Sequence, residues 1–174
     1  MFSVWIDADS CPKQVRTFVL TATRKHSVPL YLVANRLIPL SSDSDASTDE
    51  QNKHVHMIVC EQTAQAADQY IFSHCEHDDI VITRDIPFAA SLVEKGILVM
   101  NDRGNVFTKE NIGERLSERN FMMNLEAIGL GSKKKKSDYG KKEFDKFCRA
   151  FDKDFMQKVT NWQYRMPTPS REQN

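Results

Sequence analysis

The sequence predicts an α/β protein in three layers, with a mostly parallel central sheet flanked by helices. Short apolar runs rich in β-branched and aromatic residues recur along the chain and read as buried strands. Stretches with apolar residues at helical spacing lie between them. The first three elements read β-α-β, which implies parallel strands joined by a right-handed crossover.

Phe2-Ser3-Val4-Trp5-Ile6 is the first strand, and it runs into Asp7-Ala8-Asp9-Ser10-Cys11-Pro12. Ser10 is expected to cap the next helix and Pro12 to occupy its first turn, where a backbone N–H has no partner anyway. That helix reaches about His26 on Val15, Phe18, Val19 and Ala22. Leu30 to Ala34 is the second strand and ends at Asn35-Arg36. Ser41 to Asn52 holds almost no apolar surface, which predicts a polar loop at 41–54. Its acids do not make an EF-hand, because the turn glycine and the closing glutamate do not fit.

Val55 to Val59 is a third strand. Thr63 to His74 is a helix that faces the sheet with Ala64, Ala67 and Ile71, and Asp68 borders that stripe. A carboxylate beside an apolar face is costly without a cation or hydrogen-bond donor. Ile80 to Thr83 is a fourth strand, followed by Arg84-Asp85 and a helix from Pro87 to Glu94 closed by Gly96. Ile97 to Met100 is a fifth strand ending in Asn101-Asp102, and Val106 to Thr108 is a brief extended segment. The next helix passes through Ile112 and Leu116 to about Leu125, before Gly129 and Gly131.

A basic loop at 132–142 then carries six lysines. Phe144, Phe147, Cys148, Phe151, Phe155, Val159 and Trp162 recur every three or four residues, so the last helix lays an aromatic stripe on the body. One domain over residues 1–165 and a flexible tail at 166–174 complete the expectation.

Lysine plus arginine and aspartate plus glutamate number 24 each, so net charge argues neither for nor against a nucleic-acid partner. The four cysteines form no C-x-x-C pair, which suggests neither a disulfide framework nor a zinc knuckle. No apolar stretch approaches the ~18 residues of a membrane span, and no secretory signal pattern opens the chain. A reduced, cytoplasmic protein with no membrane partner is expected.

Strand ends carry the chemistry. In a parallel sheet Asp7 and Asp9, Asp85, and Asn101-Asp102 share one edge, and Asp68 joins them from a helix. Clustered carboxylates repel unless a proton or cation compensates, and oxygen-only ligands suit Mg²⁺ or Mn²⁺. Such ions serve phosphoryl chemistry. Asp7, Asp68 and Asp85 are the candidate catalytic and metal-binding residues, with Asp102 as a further ligand. Asp9 and Asn101 support turns, Thr83 could hydrogen-bond a ligand, and Arg84 or Arg103 could neutralise phosphate. Lys133, Lys134, Lys135 and Lys136 can contact phosphates without reading sequence, or form a solvated loop.

The sequence resembles the YaiI/YqxD family of bacterial proteins, relatives of PIN-like nuclease domains. The likeness rests on Asp7-Ala8-Asp9-Ser10-Cys11-Pro12, Leu32-Val33-Ala34-Asn35, Ala67-Asp68 and Val81-Ile82-Thr83-Arg84-Asp85-Ile86-Pro87. Asn101 with Arg103-Gly104, Thr108-Lys109-Glu110-Asn111-Ile112, and Arg119 with Phe121-Met122 extend it over nearly the whole chain. The resemblance implies a PIN-like fold in which acidic residues surround a divalent metal and RNA is hydrolysed. Asp7, Asp68 and Asp85 would then be ligands, with the fourth acidic position near Asn101 or Asp102.

Two other chemistries compete. Asp7-Ala8-Asp9 after a strand also looks like the opening of a haloacid-dehalogenase-type phosphatase, with Asp7 as nucleophile and Asp9 as general acid. That enzyme needs an acidic pair after a later strand, whereas Asp78-Asp79 precede theirs. A cysteine phosphatase needs C-x5-R, but only four residues separate Cys11 from Arg16, so Cys11 reads as packing. A nucleic-acid-binding or regulatory protein on the same scaffold is the non-enzymatic alternative.

Overall fold

A computed structural model describes residues 1–38, 53–63, 65–130 and 139–165. The polar stretch from Ser41 to Asn52, Ala64, the lysine run and the 166–174 tail lie outside the described residues. Six strands and five helices follow one another: β1 (Val4–Asp7), α1 (Lys13–Lys25), β2 (Leu30–Ala34), β3 (Val55–Val59), α2 (Ala66–His74) and β4 (Ile80–Ile82). α3 (Ile86–Glu94), β5 (Leu98–Met100), β6 (Val106–Phe107), α4 (Ile112–Ala127) and α5 (Lys141–Arg165) complete the chain.

The strands form one sheet in the order β3-β2-β1-β4-β5-β6, in which only β6 runs antiparallel to its neighbour. β1 lies at the centre, with Val4 opposite both Leu30 and Ile80. From β1 the chain winds outward to β2 and β3, then returns to the other side for β4 and β5. The order therefore reverses between β1 and β4, and a crevice opens at the carboxyl ends of strands at such a switch point.

Strand alternation sorts the core into two layers. Val4, Ile6, Leu30, Leu32, Ile80 and Ile82 pack with Val15 and Val19 of α1 and with Phe147, Phe151 and Phe155 of α5. Trp5, Val33, Val81 and Val99 pack with Ala67 and Ile71 of α2 and with Ala89 and Leu92 of α3. The three phenylalanines of α5 are fully buried, so the aromatic stripe is core and not a platform for bases.

Asp79 pins β4 beside β1 at the opposite sheet edge. Its buried carboxylate accepts hydrogen bonds from Ser3 N at 2.7 Å, Trp5 Nε1 at 2.8 Å and Glu76 N at 2.9 Å. Four expected local features differ from the structure. Ser10 makes no cap bond to α1, and Pro12 stands at the N-cap position instead of inside the first turn. Thr83 follows β4 without joining it, and Lys141 and Lys142 belong to α5 instead of the basic loop. No helix among the described residues is long and apolar enough to cross a membrane.

Candidate functional site

Trp5 packs in the layer of α2 and α3, so alternation directs Asp7, two residues on, toward the same layer. Ser10 Oγ donates to Asp7 Oδ2 at 2.9 Å, which explains why Ser10 leaves the helix uncapped. Thr83 Oγ1 donates to the same oxygen at 3.2 Å and accepts from Asp85 N at 3.1 Å. One hydroxyl thus couples the end of β1 to the turn after β4. Asp85 caps α3, its Oδ1 accepting from Phe88 N at 2.8 Å. Asp68 occupies the first turn of α2.

These three aspartates come from separate elements and feel one another. Burial raises the Asp7 carboxyl, the bonds from Ser10 and Thr83 oppose that rise, and the charges of Asp9 and Asp85 add to it. Burial pushes Asp68 up to about 6, with Asp7 and Asp85 pushing the same way. Asp68 and Asp85 line a cavity of about 420 Å³ together with Gln65, Gln69, Phe72 and Arg119. Gln65 stands there at φ 68°, in the left-handed region that a side chain normally avoids.

The remaining candidates take other positions. Asp9 Oδ2 accepts from Asn35 N at 2.6 Å while Oδ1 lies 3.4 Å from Arg36 Nε, so this carboxylate ties β1 to the end of β2. Asn101 Oδ1 accepts from the backbone of Arg103 and Asn105 at 3.0 Å each and shapes the β5–β6 turn. Asp102 is buried and ion-paired with Arg84, and its carbonyl accepts from the Tyr139 hydroxyl at 2.6 Å. The exposed Arg84 guanidinium therefore offsets the charge of the buried Asp102 carboxylate. The Arg103 guanidinium lies over the Tyr139 ring at 5.7 Å. Lys133 to Lys136 fall outside the described residues.

Burial pushes the Cys11 thiol up to about 12, against the pull of the Arg16 cation. It is therefore a neutral packing group at neutral pH and not a thiolate nucleophile. A dehalogenase-type phosphatase gains no support from the geometry, since Asp9 is engaged by Asn35 and Arg36 and Asp79 staples the opposite edge.

The sequence singled out no role for Arg119, Phe72, Gln65 or Gln69, because nothing local shows that α2 and α4 flank one cavity. Arg119 stood out only among the residues of the family resemblance. Among the described residues no three His, Cys, Asp or Glu side chains gather into a ready-made metal cage. The donor chemistry nevertheless fits a hard divalent ion. Mg²⁺ keeps several of its waters and is commonly held through one or two carboxylates, and a cation would relieve the repulsion that Asp7 and Asp85 add to burial in raising Asp68.

Fold and site together define an α/β protein with aspartates from separate elements near the switch point of a mostly parallel sheet. The chain belongs to the family described as "Uncharacterized BCR, YaiI/YqxD family", which matches residues 5–157. A UPF0178 protein of Treponema denticola is 44% identical over 149 residues, covering 86% of this chain and 88% of the relative. UPF0178 proteins of Treponema pallidum and Syntrophobacter fumaroxidans are 40% and 36% identical; they cover 87% of this chain each, and 80% and 92% of the relatives. No solved structure matches the chain.

Proposed function

We propose that the chain is a Mg²⁺- or Mn²⁺-dependent phosphodiester hydrolase that acts on RNA. One observation carries this reading: the Thr83 hydroxyl joins Asp7 at the end of β1 to the backbone of Asp85 after β4, and the charges of both aspartates act on Asp68 of α2. A fold that needed these residues only as turns and caps would gain nothing from bringing their charges together. The resemblance to PIN-like nucleases supports RNA as the polymer.

Asp7 and Asp85 would hold the ion, which when bound neutralises charge on the phosphate and acidifies water. Ser10 and Thr83 fix one oxygen of Asp7. Asp68 keeps a proton up to about pH 6, so above that it is a base suited to orient the attacking water and accept its proton. The water oxygen bonds to phosphorus as the bond to the departing ribose oxygen breaks. Arg119, on the wall shared with Asp68 and Asp85, is placed to neutralise the phosphate in the role that Arg84 gives up to Asp102.

Purified protein is expected to cut RNA only with Mg²⁺ or Mn²⁺. Asp7→Asn and Asp85→Asn should each lower the rate at least ~100-fold while the circular dichroism stays unchanged, because asparagine preserves hydrogen bonding and capping. Cleavage that survives in both variants, or is absent from the parent with every divalent ion tried, overturns the proposal. The lack of a ready-made cage among the described residues favours a second reading, a nucleic-acid-binding protein without hydrolysis. RNA binding that persists in both variants while the parent never cuts would select it.

A further inference from the structure

α5 carries two stripes. Phe147, Phe151 and Phe155 form the buried one. Lys142, Lys146, Arg149 and Lys153 follow each other at spacings of four, three and four, which gathers four exposed cations on one narrow arc. At 1.5 Å per residue the arc is about 16 Å long. Like charges at these spacings weaken a helix, so folding alone does not favour this arrangement in a chain whose total charge cancels. Glu143, Asp145, Asp152 and Asp154 lie in the same helix but off the arc, and the Glu143 carboxylate accepts from Gly140 N at 3.0 Å.

The β5–β6 turn supplies the opposite wall. Gly104, at φ +71°, lets that turn touch the α5 backbone: a Cβ there would meet Lys146 O at 2.6 Å. Lys146 Nζ donates to Asn105 Oδ1 at 2.6 Å and locks the two walls together. The resulting groove of about 380 Å³ is lined by Arg103, Asn105, Lys142, Glu143, Lys146 and Arg149. A short link of sequence neighbours and one ion pair joins a groove residue to Asp85. Arg103 follows Asp102, Asp102 pairs with Arg84, and Arg84 precedes Asp85.

We infer that this groove is a track for the phosphodiester backbone of single-stranded RNA. The inference rests on the proposed action on RNA and gives that polymer its second contact. Cations in a groove follow a backbone without reading its bases. The lining contains no exposed apolar side chain that would anchor a lipid surface or a protein hot spot.

The test is fluorescence anisotropy of a labelled 12-nucleotide oligouridylate with the full chain in EDTA, titrated between about 50 and 300 mM KCl. K142Q/K146Q/R149Q should weaken binding at least tenfold at low salt. It should also flatten the plot of log K against log salt by about 2, since each lost phosphate contact removes about 0.7. A control, K13Q/K25Q/K109Q, removes equal charge elsewhere and should keep the parent slope. All six positions are at the surface, and circular dichroism verifies folding. Three outcomes overturn the inference: equal slopes in parent and groove variant, an equal loss in the control, or binding of heparin without binding of the oligouridylate. Hydrolysis of the small diester bis(p-nitrophenyl) phosphate by the parent tests the catalytic reading separately. If RNA binding behaves as expected while that diester is never hydrolysed with metal, the hydrolase proposal fails and the track stands.

Discussion

Asp68 shows how a single residue can carry both a destabilising charge and a chemical role. The folded chain holds its carboxyl at about 6, above its usual 3.8. The folded state therefore binds the proton more tightly than the unfolded state does, and the stability this gives is full below about pH 4 and lost as pH rises through 6. Asp68→Asn is expected to raise stability at pH 7.5 and to leave it unchanged at pH 4, as read by urea unfolding. Because the side chain is only partly buried, screening keeps the gain at or below roughly 1 kcal/mol. A loss of stability at pH 7.5 would show that the charge is compensated. At this scale the sequence already exposed Asp7, Asp68, Asp85 and Thr83, since each follows or borders an apolar run. It did not expose the partner of any of them. Ser10 satisfies the local rule for a helix cap, yet the Asp7 carboxylate takes its hydroxyl. Asp102 and Arg84 meet across 18 residues, a pairing that no spacing rule announces.

At the scale of elements, the β5–β6 turn lies directly against the α5 backbone. Gly104→Ala combines the left-handed backbone penalty with a clash against Lys146 O and Phe147 Cα. Its expected cost is roughly 2–4 kcal/mol. Gly129→Ala has a similar φ of +77° but nothing within 4 Å, so it should cost only about 1–2 kcal/mol. Equal urea midpoints for the two variants would mean that the turn yields easily. Helices and strands were legible because their apolar periods are unambiguous: α5 announces itself through phenylalanines four residues apart, and β1 through a run closed by aspartate. The cationic arc of α5 was written in the same residues. It gained meaning only when Gly104 brought a second wall against it.

For the whole molecule, the proposed carboxylate metal site predicts a response to a compensating ion. An ion bound only by the folded state stabilises it by about 2.7 kcal/mol at a hundredfold excess over Kd. For a chain of this length that corresponds to a rise in Tm of about 5–10 °C. Mg²⁺ or Mn²⁺ should give such a rise in the parent, EDTA should reverse it, and Asp7→Asn with Asp85→Asn should abolish it. An unchanged parent Tm would show that the cluster holds no ion. The α/β class and the parallel sense followed from the β-α-β opening, but the strand order did not. Placing β1 between β2 and β4 depends on contacts across some 76 residues, such as Ser3 and Thr83 with their partners. That central position has a practical consequence. Trp5, stacked on Tyr31 at 4.1 Å and hydrogen-bonded to Asp79, is a dry indole two residues before Asp7. The other tryptophan, Trp162, is partly exposed near the end of α5. The unlabelled protein is therefore expected to emit from two distinguishable indoles, bluer from buried Trp5 and redder from partly exposed Trp162. Events at the switch point can be followed by light without attaching a dye.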